Sequence, residues 1–182
     1  MAATSDYRKL SFWHDTVPGT LAPGDPLPGD ADADVAIVGA GFTGLWTAYY
    51  LSQADPALRI AICERQIAGF GASGRNGGWC SALFPASLSK LERMAGREAA
   101  VAQHRAMQDT VDEVGRVATA EGIDCHWAKG GTVQLTRSPV QLERAKAGVA
   151  EARRFGFGAD DLRLLDAAEA SQLVVPPIIT SV

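Results

Sequence analysis

Apolar residues along the chain fall into short runs and helical stripes, broken by glycine and proline. Val35-Ala36-Ile37-Val38 is a four-residue apolar run between Asp34 and Gly39. Such a run predicts a buried strand of a parallel sheet. Residues 42–53 place Leu45, Ala48, Tyr49 and Leu51 at helical spacing, which predicts a helix packed on that sheet and ending before Asp55-Pro56. Residues 59–63 (Arg59-Ile60-Ala61-Ile62-Cys63) read as a second strand. Strand, glycine-rich turn, helix and strand in about 30 residues make one βαβ crossover. The pattern predicts an α/β fold.

The flanking regions read differently. Residues 1–34 form an N-terminal arm. Its second half, 18–34, is dominated by Pro, Gly and Asp and has neither helical nor strand period. Phe12 and Trp13 are expected to pin the arm to the body. Residues 69–78 (GFGASGRNGG) form a glycine-rich loop. Helices are predicted over 88–95, stopped by Gly96, and over 97–121, with Met107, Val111, Val114 and Ala118 on one packed face and Gly122 beyond its end. Residues 125–137 look like two short strands around Gly130-Gly131, hence a hairpin. Ser138 caps the next helix, with Pro139 at its first position and Gln141 completing a capping-box pattern; the helix runs to about Phe155. Asp166 and Glu169 repeat that signature before a last short helix.

Composition narrows the class without changing the fold. The chain has 182 residues, 47% hydrophobic and 21% charged, which suits one soluble domain, or one domain and part of another. A net charge of −4 argues against a nucleic acid as the main partner. Cys63, Cys80 and Cys125 show no CxxC spacing, so neither a disulfide framework nor a metal site is expected. No apolar leader and no run long enough for a membrane span is visible, and the expected location is the cytoplasm.

The chemistry concentrates in the first crossover. Gly39-Ala40-Gly41-Phe42-Thr43-Gly44 is G-x-G-x-x-G. By itself that string is weak, and its bland reading is a turn that binds nothing. Here it leaves a predicted strand, opens a predicted helix, and is followed 20 residues after Gly44 by Glu64 at the end of the second strand. That is the context of a dinucleotide site. Gly39 permits the tight turn, Gly41 lets a pyrophosphate approach the backbone, and Gly44 lets helix and strand lie close. The helix N-terminus, with the amides of Phe42 and Thr43, offers N–H donors and the positive end of the dipole. Glu64 can accept from both ribose hydroxyls of an adenosine and would repel a 2′-phosphate.

NAD and FAD both fit this fingerprint. The stretch after Glu64 separates them. No convincing third parallel strand follows; Arg65 and a short link lead into the glycine loop instead. Ser73, Arg75 and Asn76 stand there among glycines as hydroxyl, cation and amide. That set suits more pyrophosphate and the sugar-like chain beyond it, although a mobile surface loop is the plain alternative.

The segment DVAIVGAGFTGLWTAYYL, followed by Glu64-Arg65 and by GFGASGRNGGW, resembles the D-amino-acid oxidase-like FAD-dependent oxidoreductases, most of all their γ-glutamylputrescine oxidase and glycine/sarcosine oxidase branch. The resemblance covers most of residues 11–175. It implies FAD as cofactor and a Rossmann-like FAD-binding βαβ unit followed by the beginning of a mixed-sheet substrate domain. It also implies oxidation of a C–N bond in a small-molecule amine or amino acid by hydride transfer to the flavin, with later hydrolysis of the imine. By the match, Gly39, Gly41, Phe42, Thr43 and Gly44 hold the pyrophosphate, Glu64 the adenosine ribose, and Arg65 lies near the adenosine end. Ser73, Arg75, Asn76 and Gly77 line the stretch toward the flavin. Residues 35–122 would be the FAD-binding domain, incomplete here, and 123–182 the truncated start of the substrate domain. The family's later strands have no counterpart before Val182, so a partial chain is expected; a short FAD-binding subunit that needs a partner is the alternative. Catalytic residues and oligomeric state are not legible.

The remaining tempting residues read as structural. His14, His104 and His126 share no ligand spacing. His104 is expected on a solvated helix face and His126 in a strand beside Trp127. Cys63 is expected in the core, and Cys80 is not placed for covalent flavin attachment.

Overall fold

A computed structural model describes residues 6–173 of the chain. The chain divides into two compact units, Met1–Trp79 and Cys80–Val182.

The first unit is built on the βαβ crossover. Strands β1 (Val35–Val38) and β2 (Ile60–Cys63) pair in parallel, with Val35 opposite Ile60 and Val38 opposite Cys63. Asp34 fixes where they begin: its carboxylate accepts from the Arg59 backbone N–H at 2.8 Å and from the guanidinium at 3.0 Å. Between them runs a helix, Phe42–Ala54, closed at Asp55 by a backbone bond to Leu51. The predicted order and bounds of these elements hold to within a residue. The burial does not. Val38 is 92% exposed and Ile62 38% exposed, so β1 is not the enclosed strand its composition predicts. Parallel strands become continuously apolar when both faces are covered, and here the side chain of Val38 is uncovered. Cys63 is half-buried rather than core.

The arm is more structured than its sequence suggests. Tyr7–Leu10 forms a 3-10 turn and Phe12–Thr16 a short helix, α1, ahead of the crossover helix, α2 (Phe42–Ala54). Arg8 ties the two turns together by donating to the carbonyls of Asp15 at 2.7 Å and Gly19 at 2.6 Å. Residues 18–34 contain no helix or strand, as expected, and all but the half-buried Leu21 are exposed. Trp13 does anchor the arm, but Phe12 is 68% exposed and anchors nothing; the buried residues of the arm are Tyr7 and His14.

The second unit is helical: α3 (Leu88–Ala95), α4 (Arg97–Ala120), α5 (Pro139–Arg154) and α6 (Ala167–Leu173). Its core joins Ala100 of α4 to Ala152, Phe155 and Phe157 at the end of α5, with Leu88, Leu91 and Val101 packed on them. Ser138 caps α5, accepting from Gln141 N–H at 3.3 Å. At α6 the reciprocal box is complete: Glu169 N–H donates to Asp166 at 2.8 Å and Asp166 N–H to Glu169 at 2.9 Å.

Two readings of this unit fail. Residues 125–137 form no strand and so no hairpin. An isolated two-stranded hairpin is marginal in water, and this segment's side chains find partners on α4 instead. Trp127 lies on Gly115, where any Cβ would strike the indole, and Lys129 pairs with Asp112. His126 is exposed and takes a left-handed φ of 52°, which no strand residue adopts. His104 is also not solvated. Its ring lies 4.4 Å from that of Phe157, and burial, with Arg105 beside it, holds its pKa below the usual histidine value. The helical period in fact sets His104 on the side of Met107 and Val111, three and seven residues on, and Phe157 returns from beyond α5 to cover it.

Candidate functional site

The turn between β1 and α2 is shaped by glycine. Gly39 leaves the strand with φ 98°, a left-handed conformation that costs a side-chain-bearing residue dearly. Its N–H donates to the Cys63 carbonyl at 2.8 Å, so the turn is fastened to the end of β2. At Gly44 a Cβ would overlap the Gly39 carbonyl oxygen and lie 3.2 Å from Ile37 Cγ2. Helix and strand therefore pack at a distance that only glycine allows.

Gly41 is the N-cap of α2 and offers no side-chain cap. The first amides of a helix have no intrahelical acceptor. Phe42 N–H finds one outside: Ser73 Oγ, at 2.9 Å. A Cβ on Gly41 would come within 3.0 Å of that oxygen. The glycine loop is thus brought to the α2 N-terminus, and Ser73 accepts there while keeping its own proton to donate. Thr43 and Phe42 are exposed at the same end.

Glu64 stands immediately past β2 and is exposed. Its carboxylate accepts from Ala40 N–H at 3.0 Å and from Gln66 N–H at 2.9 Å. These two backbone donors, Ala40 first, hold its pKa below the usual glutamate value. The acid is therefore ionised, oriented by the turn itself, and open to solvent. Arg65 beside it is also exposed.

The loop from Gly69 to Gly78 is internally bonded. Gly69 N–H donates to the Ala40 carbonyl at 2.9 Å. Asn76 Nδ2 donates to the Ser73 carbonyl and its Oδ1 accepts from Gly78 N–H, each at 2.7 Å. Arg75 lies over the Phe70 ring at 5.3 Å and Nε donates weakly to Gly71 at 3.3 Å. Arg75, Asn76 and Gly77 are exposed.

The structure therefore brings Gly39, Gly41, Phe42, Thr43, Gly44, Glu64 and Ser73 to one end of the crossover. Arg75 and Asn76 sit farther along the loop, and the described contacts of their side chains are made within it. Sequence reasoning missed Ala40 and Gln66, whose amides orient Glu64, and Ile67, which is 5% exposed just ahead of the loop. Backbone donors leave no compositional signal, and Ile67 stands alone in a polar stretch. Among the described residues no group of three or more His, Cys, Asp or Glu is placed to hold a metal, and no helix is long and apolar enough to cross a membrane.

A family profile described as "FAD dependent oxidoreductase" matches residues 34–181. The chain belongs to this family of FAD-dependent oxidoreductases. It is 30% identical over 146 residues to "Gamma-glutamylputrescine oxidoreductase" of Escherichia coli, a match covering 80% of this chain and 33% of that one. "Probable oxidoreductase OrdL" of Haemophilus influenzae is 32% identical over 105 residues, 58% of this chain and 24% of its own. "Thiamine thiazole synthase" of Emericella nidulans is 47% identical over 61 residues, 32% of this chain and 18% of its own. The chain spans a third or less of the length of these relatives. No solved structure gives a significant match. FAD is the cofactor of the family, and the donor set at the α2 N-terminus, amides with a serine hydroxyl, fits its pyrophosphate, while the nearby Glu64 carboxylate is turned to Ala40 and Gln66 N–H.

Proposed function

We propose that this chain binds FAD across the β1–α2 turn and the glycine loop, and that the protein oxidises a C–N bond of a small amine or amino acid. The observation that carries the reading is the Ser73–Phe42 bond, which joins the two glycine segments at one helix N-terminus. On this reading Gly39, Gly41 and Gly44 give the pyrophosphate its close backbone, and the amides of Phe42 and Thr43 donate to it. Glu64 accepts from the adenosine ribose with Arg65 beside it. Ser73, Arg75, Asn76 and Gly77 line the way to the flavin. FAD, when bound, supplies the acceptor for a hydride leaving the substrate carbon. The amine class comes from the name of the Escherichia coli relative and from the sequence resemblance. Residues 35–122 are assigned to the FAD-binding domain and 123–182 to the opening of a substrate domain.

Catalysis requires the substrate carbon within roughly 3–3.5 Å of the accepting atom, between walls that exclude water. Among the described residues the two-stranded sheet β1-β2 provides no such enclosure. The 182-residue chain is therefore expected to bind FAD weakly and to turn over neither glycine, sarcosine, D-amino acids nor polyamine derivatives. Peroxide detection and an artificial-acceptor assay with added FAD test this. FAD-dependent turnover would show that residues 1–182 hold a complete active site.

A further inference from the structure

The glycine loop is held from one side by the N-terminal arm. Trp13 Nε1 donates to the Asn76 carbonyl at 2.7 Å, and Ser11 Oγ donates to the Gly74 carbonyl at 2.6 Å. Ser11 has a single hydroxyl proton, and a carbonyl can only accept it. Its lone pairs then receive the His14 backbone N–H at 3.2 Å and His14 Nδ1 at 2.7 Å, so Nδ1 carries a proton. His14 is 5% exposed.

Two glycines of the loop meet the arm, although Gly74 is packed still closer on the Gly69 carbonyl oxygen. A Cβ on Gly74 would lie 2.7 Å from His14 Cε1, and one on Gly78 would lie 2.6 Å from Trp13 Cζ2. The arm thus engages residues 74, 76 and 78, leaving Arg75 and Gly77 between and Ser73 just before. The residue next to Gly74 is Ser73, whose hydroxyl meets Phe42 N–H at the α2 N-terminus. On the other side of the loop, Tyr7 donates to Gln66 Oε1 at 2.8 Å, and Gln66 N–H is one of the two donors that orient Glu64.

We propose that residues Tyr7–Thr16 act as a clamp that positions the glycine loop for FAD, with Ser11, Trp13 and His14 as positioning residues. The inference rests on the FAD reading for what the loop holds. None of these three side chains need touch the cofactor. Loosening the clamp frees the backbone around Ser73 and raises cofactor dissociation, while every group that donates to FAD stays in the chain.

The test uses the 182-residue chain with Trp13→Phe and Ser11→Ala, and Leu27→Ala in the exposed lead-in as control. Trp13→Phe keeps an aromatic ring over Gly78 and removes the bond to Asn76. Two quantities are read: FAD affinity by flavin fluorescence, and amide hydrogen exchange in the chain without FAD. Trp13→Phe is expected to weaken FAD binding about 3- to 10-fold, the range for loss of one hydrogen bond, and Ser11→Ala, which removes three, by at least as much. Exchange should quicken over 69–78 and stay unchanged in α4. Leu27→Ala should match wild type in both. Unchanged FAD affinity in both variants, or unchanged exchange across the loop, would overturn the clamp. If wild type itself binds no FAD, the FAD reading falls separately. Loop exchange then decides the arm's role alone: faster exchange supports it, and unchanged exchange overturns it.

Discussion

Gly44→Ala is the most informative single change in the crossover. Alanine is the better helix former by about 0.8–1 kcal/mol in an ordinary helix interior. A propensity argument alone therefore predicts stabilisation. The structure predicts the opposite sign. The new Cβ would overlap the Gly39 carbonyl oxygen and press Ile37 Cγ2 at 3.2 Å. The first obstacle is backbone, which cannot rotate out of the way, and it belongs to a turn already fixed by the Gly39–Cys63 bond. Overpacking of this kind costs about 1–3 kcal/mol and sometimes more. Against the propensity gain, a net loss of up to about 2 kcal/mol remains, with a fall in Tm of roughly 4–8 °C per kcal/mol in a unit of this size. Urea unfolding followed by tryptophan fluorescence measures it. Gly148→Ala is the control, because no atom lies within 4 Å of a Cβ there and α5 should gain slightly. FAD affinity should fall with Gly44→Ala, since moving α2 away from β1 moves its amides from Ser73. A Gly44→Ala chain as stable as wild type and equal in FAD affinity would refute the close-packing argument.

Two further outcomes follow from the geometry. Glu64 has its pKa lowered in the folded chain, so its contribution to stability is present above the ordinary glutamate pKa and is lost as pH falls through the lowered value. The difference in unfolding free energy between wild type and Glu64→Gln should therefore be constant near neutral pH and shrink on acidification through that window; a difference independent of pH would contradict the backbone bonds from Ala40 and Gln66. Ser138→Ala should cost about 0.5–2 kcal/mol by removing the N-cap of α5, with Ser138→Asp restoring most of it, as read from denaturant unfolding.

The crossover was legible because its signals are local. Asp34, the glycine turn and the apolar runs each dictate their own segment, and Ser138 and Asp166 mark helix starts by hydrogen bonds spanning only three residues. The glycine loop was legible as a loop from its composition. What escaped was set by distant partners. His104 reads as solvated until Phe157 covers it. Trp127 reads as a strand residue until Gly115 offers a flat surface on α4. The anchoring of the arm was read from Phe12 and Trp13, but its hydrogen bonds escaped because Ser11 and Trp13 find their acceptors in carbonyls more than 60 residues away. Val38 fails in the other direction, since its composition predicts enclosure that the described residues do not provide.

The central claim is that FAD binds through the α2 N-terminus and the glycine loop. Titration of the 182-residue chain with FAD and, separately, with NAD, each against a Gly41→Val variant, tests it most directly. In that variant a branched side chain stands where Ser73 Oγ now approaches within 3.0 Å of the Cβ position. The account predicts saturable, weak binding of FAD by wild type, no comparable binding of NAD, and loss of FAD binding in Gly41→Val. FAD binding of equal strength in the variant, or preference for NAD in wild type, would contradict it.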